Sequence, residues 1–363
     1  MHIAGRFDPG RKTVLYGAGQ LASMALALWP DDTPRPLLLI DEFSRERALD
    51  GIPVRRLAQV DAGLLRESQV VLSAFKLDPF AVAEKLAERG ASIGLTVYDL
   101  FESTIAPRFS NGWRLDDADP EVRRALAAGR VLLADELSRA VWDDVVDWRC
   151  RRRLRPDALR RIEPESDKYI NALTRELIAA APLLVDGGAY DGGFLSSAAA
   201  LVAPQATLVA FEPDPVSFER SCSALAALAG RRVEPRPLAL GGACGQRPFY
   251  STGGLSARLV EPAHANTAVA CTTIDAQPWP APAEMPAALG RPVLKLHIEG
   301  AELEAIEGAA RFIGERRPLV MVNCSHNADG LLRIPQRLAQ LGLQDIWLRT
   351  HALFGEGVTL YAL

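Results

Sequence analysis

The stretch Leu183 to Pro215, LLVDGGAYDGGFLSSAAALVAPQATLVAFEPDP, constrains the fold more than any other part of the chain. Leu183, Leu184 and Val185 make a short apolar run that stops at Asp186, as a buried parallel strand does at its crevice end. Gly187, Gly188, Gly192 and Gly193, with Ala189 and Tyr190 among them, supply a turn tight enough for backbone to approach a ligand. A small-residue helix follows from about Phe194. A second apolar run, Leu208 to Phe211, ends on Glu212 and is broken by Pro213. The pattern is a β-α-β unit with an acid about 20 positions after its glycines, the arrangement that holds a nucleoside ribose by its hydroxyls.

Asp186 narrows the choice of nucleoside. A dinucleotide places its pyrophosphate at this turn, where neutral backbone donors and a helix N-terminus are wanted. A carboxylate there repels phosphate and instead favours the ammonium of an amino-acid ligand. The spacing Gly188-Ala-Tyr-Asp-Gly192 is also not G-x-G-x-x-G. A ligand with a ribose and an α-ammonium but no phosphate is S-adenosylmethionine, which is the cofactor expected here. The competing reading is a glycine-rich turn in an unrelated α/β protein.

A chain of 363 residues leads to an expectation of two domains. With 48% hydrophobic and 24% charged residues it has material for sizeable cores. A formal charge of −4 lacks the basic footprint of a general nucleic-acid binder. The five cysteines (Cys150, Cys222, Cys244, Cys271, Cys324) are scattered without a metal-binding pattern, so free thiols in a reducing compartment are expected. No apolar run approaches the roughly 18 residues that span a bilayer, and Leu21 to Trp29, followed by Pro30, reads as a packed helix rather than a signal peptide. A cytoplasmic protein with no membrane partner is the expectation.

Upstream, Thr13 to Tyr16 reads as a strand and Gly17-Ala-Gly19-Gln-Leu-Ala22 opens a helix, while Pro36 to Ile40 reads as a second strand ending on Asp41. Gly17, Gly19 and Asp41 thus form a weak dinucleotide-type fingerprint. They are either a nucleotide site or the turn of a plain scaffold. Strands at Gln69 to Ser73 and Ile93 to Tyr98, with a helix at Pro79 to Glu88, complete a small α/β domain over residues 1–102. Residues 103–166 read as a mostly helical connector, with Asp135 as N-cap and Leu137, Val141, Val145 and Trp148 on one apolar face. Its WRCRRRLRPDALRR run is either an anion site or a solvated face paired with Asp143, Asp144 and Asp147. Lys168 to Ala181 reads as an amphipathic helix that carries Tyr169. Val233 to Leu240 reads as an edge strand because of Pro235 and Pro237. The loops Ser251 to Arg258 and Gln277 to Pro292 are expected on the substrate side or as plain connections.

The segments VDGGAYDGG (185–193), FEPDP (211–215), LALGG (238–242), TTID (272–275), KLHIEGAELEAIEGA (295–309), SHNADGLLRIP (325–335) and VTLYA (358–362), taken in order, resemble the FkbM-type methyltransferases. This family is a branch of the class I S-adenosylmethionine-dependent fold. The resemblance covers about residues 167–363, which become the methyltransferase domain. It implies a Rossmann-like α/β sheet of seven mostly parallel strands, the last antiparallel, preceded here by the smaller Rossmann-like domain. Cofactor contacts are then expected at Asp186, Gly187, Gly188, Ala189, Tyr190, Gly192, Glu212 and Pro213, and near the adenine at Ala239 and Leu240. The family usually reads K-I-D-V-E-G-A-E, and here His297 stands at the Asp position.

Alternation along Val293 to Ile298 puts Lys295, His297 and Glu299 on one side. In a class I sheet the tips of this strand, of Leu319 to Asn323 and of Asp345 to Thr350 share a rim, which gathers His297, His326 and His351. One histidine acts as general base, with His297 first and His326 its competitor; or two or three bind a metal with Glu299; or they are strand-end residues, the reading preferred for His351. The resemblance implies O-methylation of a hydroxyl on a small molecule, sugar or glycan precursor. The alternatives are a nucleoside-binding relative with lost or altered activity, and an NAD-dependent oxidoreductase acting through the N-terminal glycines.

Overall fold

The computed structural model describes residues 1–3, 5–74, 77–104, 114–228, 230–254, 256–280, 290–326 and 328–363. Most of the Gln277 to Pro292 loop, Leu255 of the Ser251 to Arg258 loop, part of the 103–166 connector and Asn327 lie outside the described residues. Two compact units emerge. The first takes residues 1–115, 143–162 and 352–356; the second takes 116–142, 163–351 and 357–363.

The first unit is built on six strands: β1 (Thr13–Tyr16), β2 (Leu38–Ile40), β3 (Ala48–Leu49), β4 (Ile52–Arg55), β5 (Gln69–Leu72) and β6 (Ile93–Thr96), in the order β3-β4-β2-β1-β5-β6. β1 and β5 are buried along their whole length, which suits a parallel sheet covered on both faces. The short β3-β4 hairpin has no counterpart in the sequence reading. Gly17, at φ +113°, turns the chain out of β1 so closely that a Cβ would lie 2.8 Å from the Ala74 side chain.

The arginine run that follows Trp148 is largely paired within this unit. Arg155 and Arg161 reach Asp144, and Arg151 reaches Asp147. Arg152 is buried rather than solvated: its Nε lies 2.7 Å from Asp99 Oδ1 and its Nη2 2.9 Å from Glu102 Oε2. Asp99 also accepts the Thr96 amide and hydroxyl and a bond from Arg114.

The second unit carries β7 (Leu183–Gly187), β8 (Thr207–Phe211), β9 (Arg232–Arg236), β10 (Ala239–Leu240), β11 (Gly245–Tyr250), β12 (Arg258–Leu259), β13 (Thr267–Thr272), β14 (Val293–Leu296), β15 (Leu319–Asn323), β16 (Ile346–Thr350) and β17 (Val358–Ala362). Seven of these form one sheet, ordered β16-β17-β15-β14-β7-β8-β9. Only β17 runs antiparallel to its neighbours. Every residue of β7, β8, β14, β15 and β17 is buried, which explains their continuous apolar lettering. Proline-bearing β9 takes the edge, where a missing N–H is tolerated. β10 leaves this sheet and joins a second one, β10-β13-β11-β12.

The Lys168 to Ala181 helix is realised only at Arg175–Ala179. Upstream, Thr174 Oγ1 donates to Tyr169 O, while Asn171 Oδ1 accepts the Leu173 amide. Such local side-chain bonds offer the backbone an alternative to the helix. The helix Pro215–Ala226 begins with the Asp214 carboxylate accepting the amides of Val216 and Ser217.

Removing the partner of a buried charge is costly, so Asp99→Ala is expected to lower stability by about 3–5 kcal/mol. Chemical denaturation checks this. A loss below about 1 kcal/mol, the scale of an exposed pair, would show that Glu102 alone satisfies Arg152.

Candidate active site

Lys295 stands opposite Asp186 in the β14-β7 register, so both side chains rise from neighbouring strands at the same level. The ammonium lies 2.7 Å from Asp186 Oδ1 and donates to the carbonyls of Gly187 (3.2 Å) and Gly188 (2.7 Å). Both groups are buried. Burial pushes the Asp186 carboxyl up, against the opposing pull of Lys295. Asp186, expected to meet a ligand ammonium, thus has a cationic partner within the chain. Lys295 thereby ties the turn through the two glycine carbonyls. Gly188, at φ +74°, lets this turn approach the tip of β14 so closely that a Cβ would sit 2.0 Å from His297 O.

Glu212 directly follows β8 and spans the turn. Its Oε2 accepts the Tyr190 amide at 2.8 Å and its Oε1 accepts the Asp214 amide at 2.9 Å. Burial raises its carboxyl above the usual range, and these two amides oppose the rise. Each oxygen retains a lone pair for a further donor. Asp41 in the first unit does the equivalent, accepting the amides of Ala18, Phe43 and Ser44. Burial works to raise its pKa, but the three amides outweigh it and hold the group low.

One cavity runs from the turn to the β14 tip. Gly188, Tyr190, Glu212, Pro213, Ala239 and Leu240 line it, together with Phe211, Leu238, Phe249 and Leu259. Asp186, Gly187, Ala189 and Gly192 do not reach its wall. At the far end it is lined by His297, Ile298, Glu299 and Arg258, and Lys295 and His326 are not part of the wall. The apolar walls suit a flat base, and the Glu212 carboxylate suits a ribose diol. These residues therefore fit an adenine nucleoside.

Three side chains converge at that end. Glu299, held at φ +53°, places Oε1 3.3 Å from both His297 Nε2 and His326 Nε2, and the two rings stack with centroids 4.8 Å apart. The opposite nitrogens are anchored. His297 Nδ1 lies 2.6 Å from Tyr169 Oη, and His326 Nδ1 lies 2.7 Å from Glu302 Oε1. Glu302 also accepts the amides of Ile298 and Gly300, which fixes the turn that bears Glu299. Burial, reinforced by Lys168, His326 and Lys295, holds His297 well below the usual histidine value. Burial raises Glu299, with His326 opposing. The donor atoms of His297, Glu299 and His326 lie within 4.8 Å of one another, a set that can also take a divalent ion. His351 is not part of this group. It lies 3.1 Å from Pro164 O and 3.2 Å from Tyr361 Oη, as a strand-end residue does.

Sequence alone assigns no role in this site to Tyr169, Glu302 or Arg258. Arg258 was visible only as the end of a loop assigned to the substrate side.

The methyltransferase FkbM domain matches residues 186–343. No curated protein matches the chain significantly. Among solved structures, methyltransferase FkbM from Methylobacillus flagellatus KT superposes with a TM-score of 0.71 at 18% identity, covering 97% of this chain and 90% of that one. The O-methyltransferase TomG from Streptomyces achromogenes (16% identity, 69% of this chain, 92% of that one, TM-score 0.32) and a precorrin-6y C5,15-methyltransferase from Geobacter metallireducens GS-15 (12%, 56%, 94%, 0.31) are too loosely alike to argue from. No helix among the described residues is long and apolar enough to cross a membrane. Residues 186–343 thus match a methyltransferase FkbM domain, and the chain shares the fold of an FkbM methyltransferase.

Proposed function

We propose that the second unit transfers a methyl group from S-adenosylmethionine to a hydroxyl of a small-molecule, sugar or glycan-precursor acceptor. The observation that carries this is a single cavity with Glu212 and apolar walls at one end and Glu299 with His297 at the other. The cofactor supplies an electrophilic sulfonium methyl. Glu212 takes the ribose hydroxyls, Ala239 and Leu240 flank the adenine, and the turn through Gly188 and Tyr190 brings backbone close to the ligand. The acceptor hydroxyl lies beside Glu299 and His297, where positioning it in line with the methyl is the main source of rate.

Glu299 is the better proton acceptor than His297. Both His297 nitrogens already face partners, and burial makes its imidazole a weak base. Glu299 lines the cavity with a carboxylate whose affinity for a proton is raised by burial. The hydroxyl proton passes to Glu299 as the methyl transfers, while His297 and His326 fix the carboxylate's direction.

Glu212→Ala is expected to weaken S-adenosylmethionine binding by about 1.5–3 kcal/mol, the scale of hydrogen bonds to a charged group. Calorimetry reads it directly, and unchanged affinity would remove this pocket from consideration.

Glu299→Gln is expected to lower kcat by about 10²–10⁴-fold with cofactor affinity intact. The base works only as carboxylate, so wild-type turnover should fall as pH drops through the raised Glu299 pKa, above the ordinary glutamate range. The variant should lose that limb. Labelled methyl transfer into a cell extract measures both. A larger loss in His297→Ala than in Glu299→Gln would return the proton to the histidine, and activity abolished by a chelator and restored by a divalent ion would make the cluster a metal site.

A further inference from the structure

Arg258 lies on β12, in the small sheet that walls the cavity, and is 4% exposed. Its guanidinium makes no hydrogen bond and no ion pair among the described residues, and Nη2 is cut off from solvent. A guanidinium has five donors and cannot shed its charge. Buried charges are paired in stable proteins, because leaving one unpaired costs several kcal/mol. Such a cation facing a cavity is a site lacking its counter-ion.

We propose that Arg258 receives an anionic group of the methyl acceptor, a carboxylate or a phosphate. The proposal rests on the reading that this cavity is where the methyl is transferred.

The charges around Arg258 place it at the acceptor end. The carboxylate that acts on it is Glu299, with Tyr250 the other nearby group. Glu212, at the ribose end, feels Lys295 and Asp214 instead, and Asp186 feels Lys295 and Asp191. No ion pair or hydrogen bond joins Glu299 to Arg258 among the described residues, and the Glu299 Oε1 faces the two histidines. Burial lowers the Arg258 pKa, the mark of a desolvated cation. An acceptor that sets a hydroxyl at Glu299 and an anion at Arg258 would be a hydroxy acid, a sugar acid or a phosphorylated sugar. Such two-point attachment fixes the hydroxyl's approach and discriminates against neutral analogues, which leave the guanidinium unpaired.

The test uses the full chain saturated with S-adenosylhomocysteine and titrated with acetate or inorganic phosphate, against chloride at equal ionic strength. The melting temperature of wild type should rise saturably by several degrees. Arg258→Met should show no rise, and Arg258→Lys should keep part of it. S-adenosylhomocysteine affinity, read by calorimetry, should agree within about threefold among the three proteins, since the cofactor end is untouched. Ligand-free Arg258→Met should melt at or above wild type, because it removes an unpaired buried charge. An equal anion response in Arg258→Met, or none in wild type, overturns the proposal. So does a tenfold or larger loss of S-adenosylhomocysteine affinity in Arg258→Met, which would assign the guanidinium to the cofactor's own carboxylate. A lower ligand-free melting temperature in both variants overturns it by making Arg258 structural. If wild type fails to bind S-adenosylhomocysteine, the functional reading fails on its own, and the same titration of ligand-free protein still decides for or against the anion site.

Discussion

The ion pair between Asp186 and Lys295 is the contact on which the site depends. It sits between the two central strands of the seven-stranded sheet, out of water on both sides. Burial pushes a lone carboxylate there toward taking up a proton, and Lys295 opposes this. The lysine directs its remaining donors to the carbonyls of Gly187 and Gly188. The glycine turn is therefore held from beneath by charge and from above by Glu212, which takes the Tyr190 amide. Two acids and one lysine shape a turn whose own residues have little side chain with which to hold it.

The same device recurs in the first unit in simpler form. Asp41, at the tip of β2, accepts the Ala18 amide in the turn after β1, as Glu212 accepts Tyr190 after β7. Both units thus tie the first β-α turn to the acid of the second strand. The physical state of the two acids differs. Asp41 accepts three amides and is held low, whereas Glu212 accepts two, is more deeply buried and is raised. A carboxylate with every neighbour a backbone donor is well satisfied. One short of donors still has affinity for a ligand hydroxyl.

The far end of the cavity follows a related logic. His297 stands where the family usually has an aspartate, and the structure shows why an imidazole is tolerated. Tyr169 takes one ring nitrogen, Glu299 faces the other, and His326 stacks on the ring. A second carboxylate at this position would crowd negative charge against Glu299 in a buried setting. Burial disfavours the charged form of His297, so Glu299 is the carboxylate that lines this end of the cavity.

The parts of this arrangement that were legible in the sequence are those carried by neighbours along the chain. The β7-turn-β8 unit, the acid at Glu212 and the edge position of β9 follow from periodicity, glycine and proline, which act over a few residues. The ligand set of the cavity depended on more. Tyr169 meets His297 from 128 residues away, and Lys295 meets Gly188 from 107. Nothing in local spacing says that Asp186 will find its cation inside the chain, or that Arg258 will lose its water without gaining a partner. Those outcomes are decided when β14 slides in beside β7 and the small sheet closes over the cavity, because the sign and size of each electrostatic effect depend on which groups burial brings together. The sequence determined the β-α-β turn and the acid that follows it; the tertiary structure decided which carboxylates and which guanidinium line one cavity, because only the packed sheets bring them together.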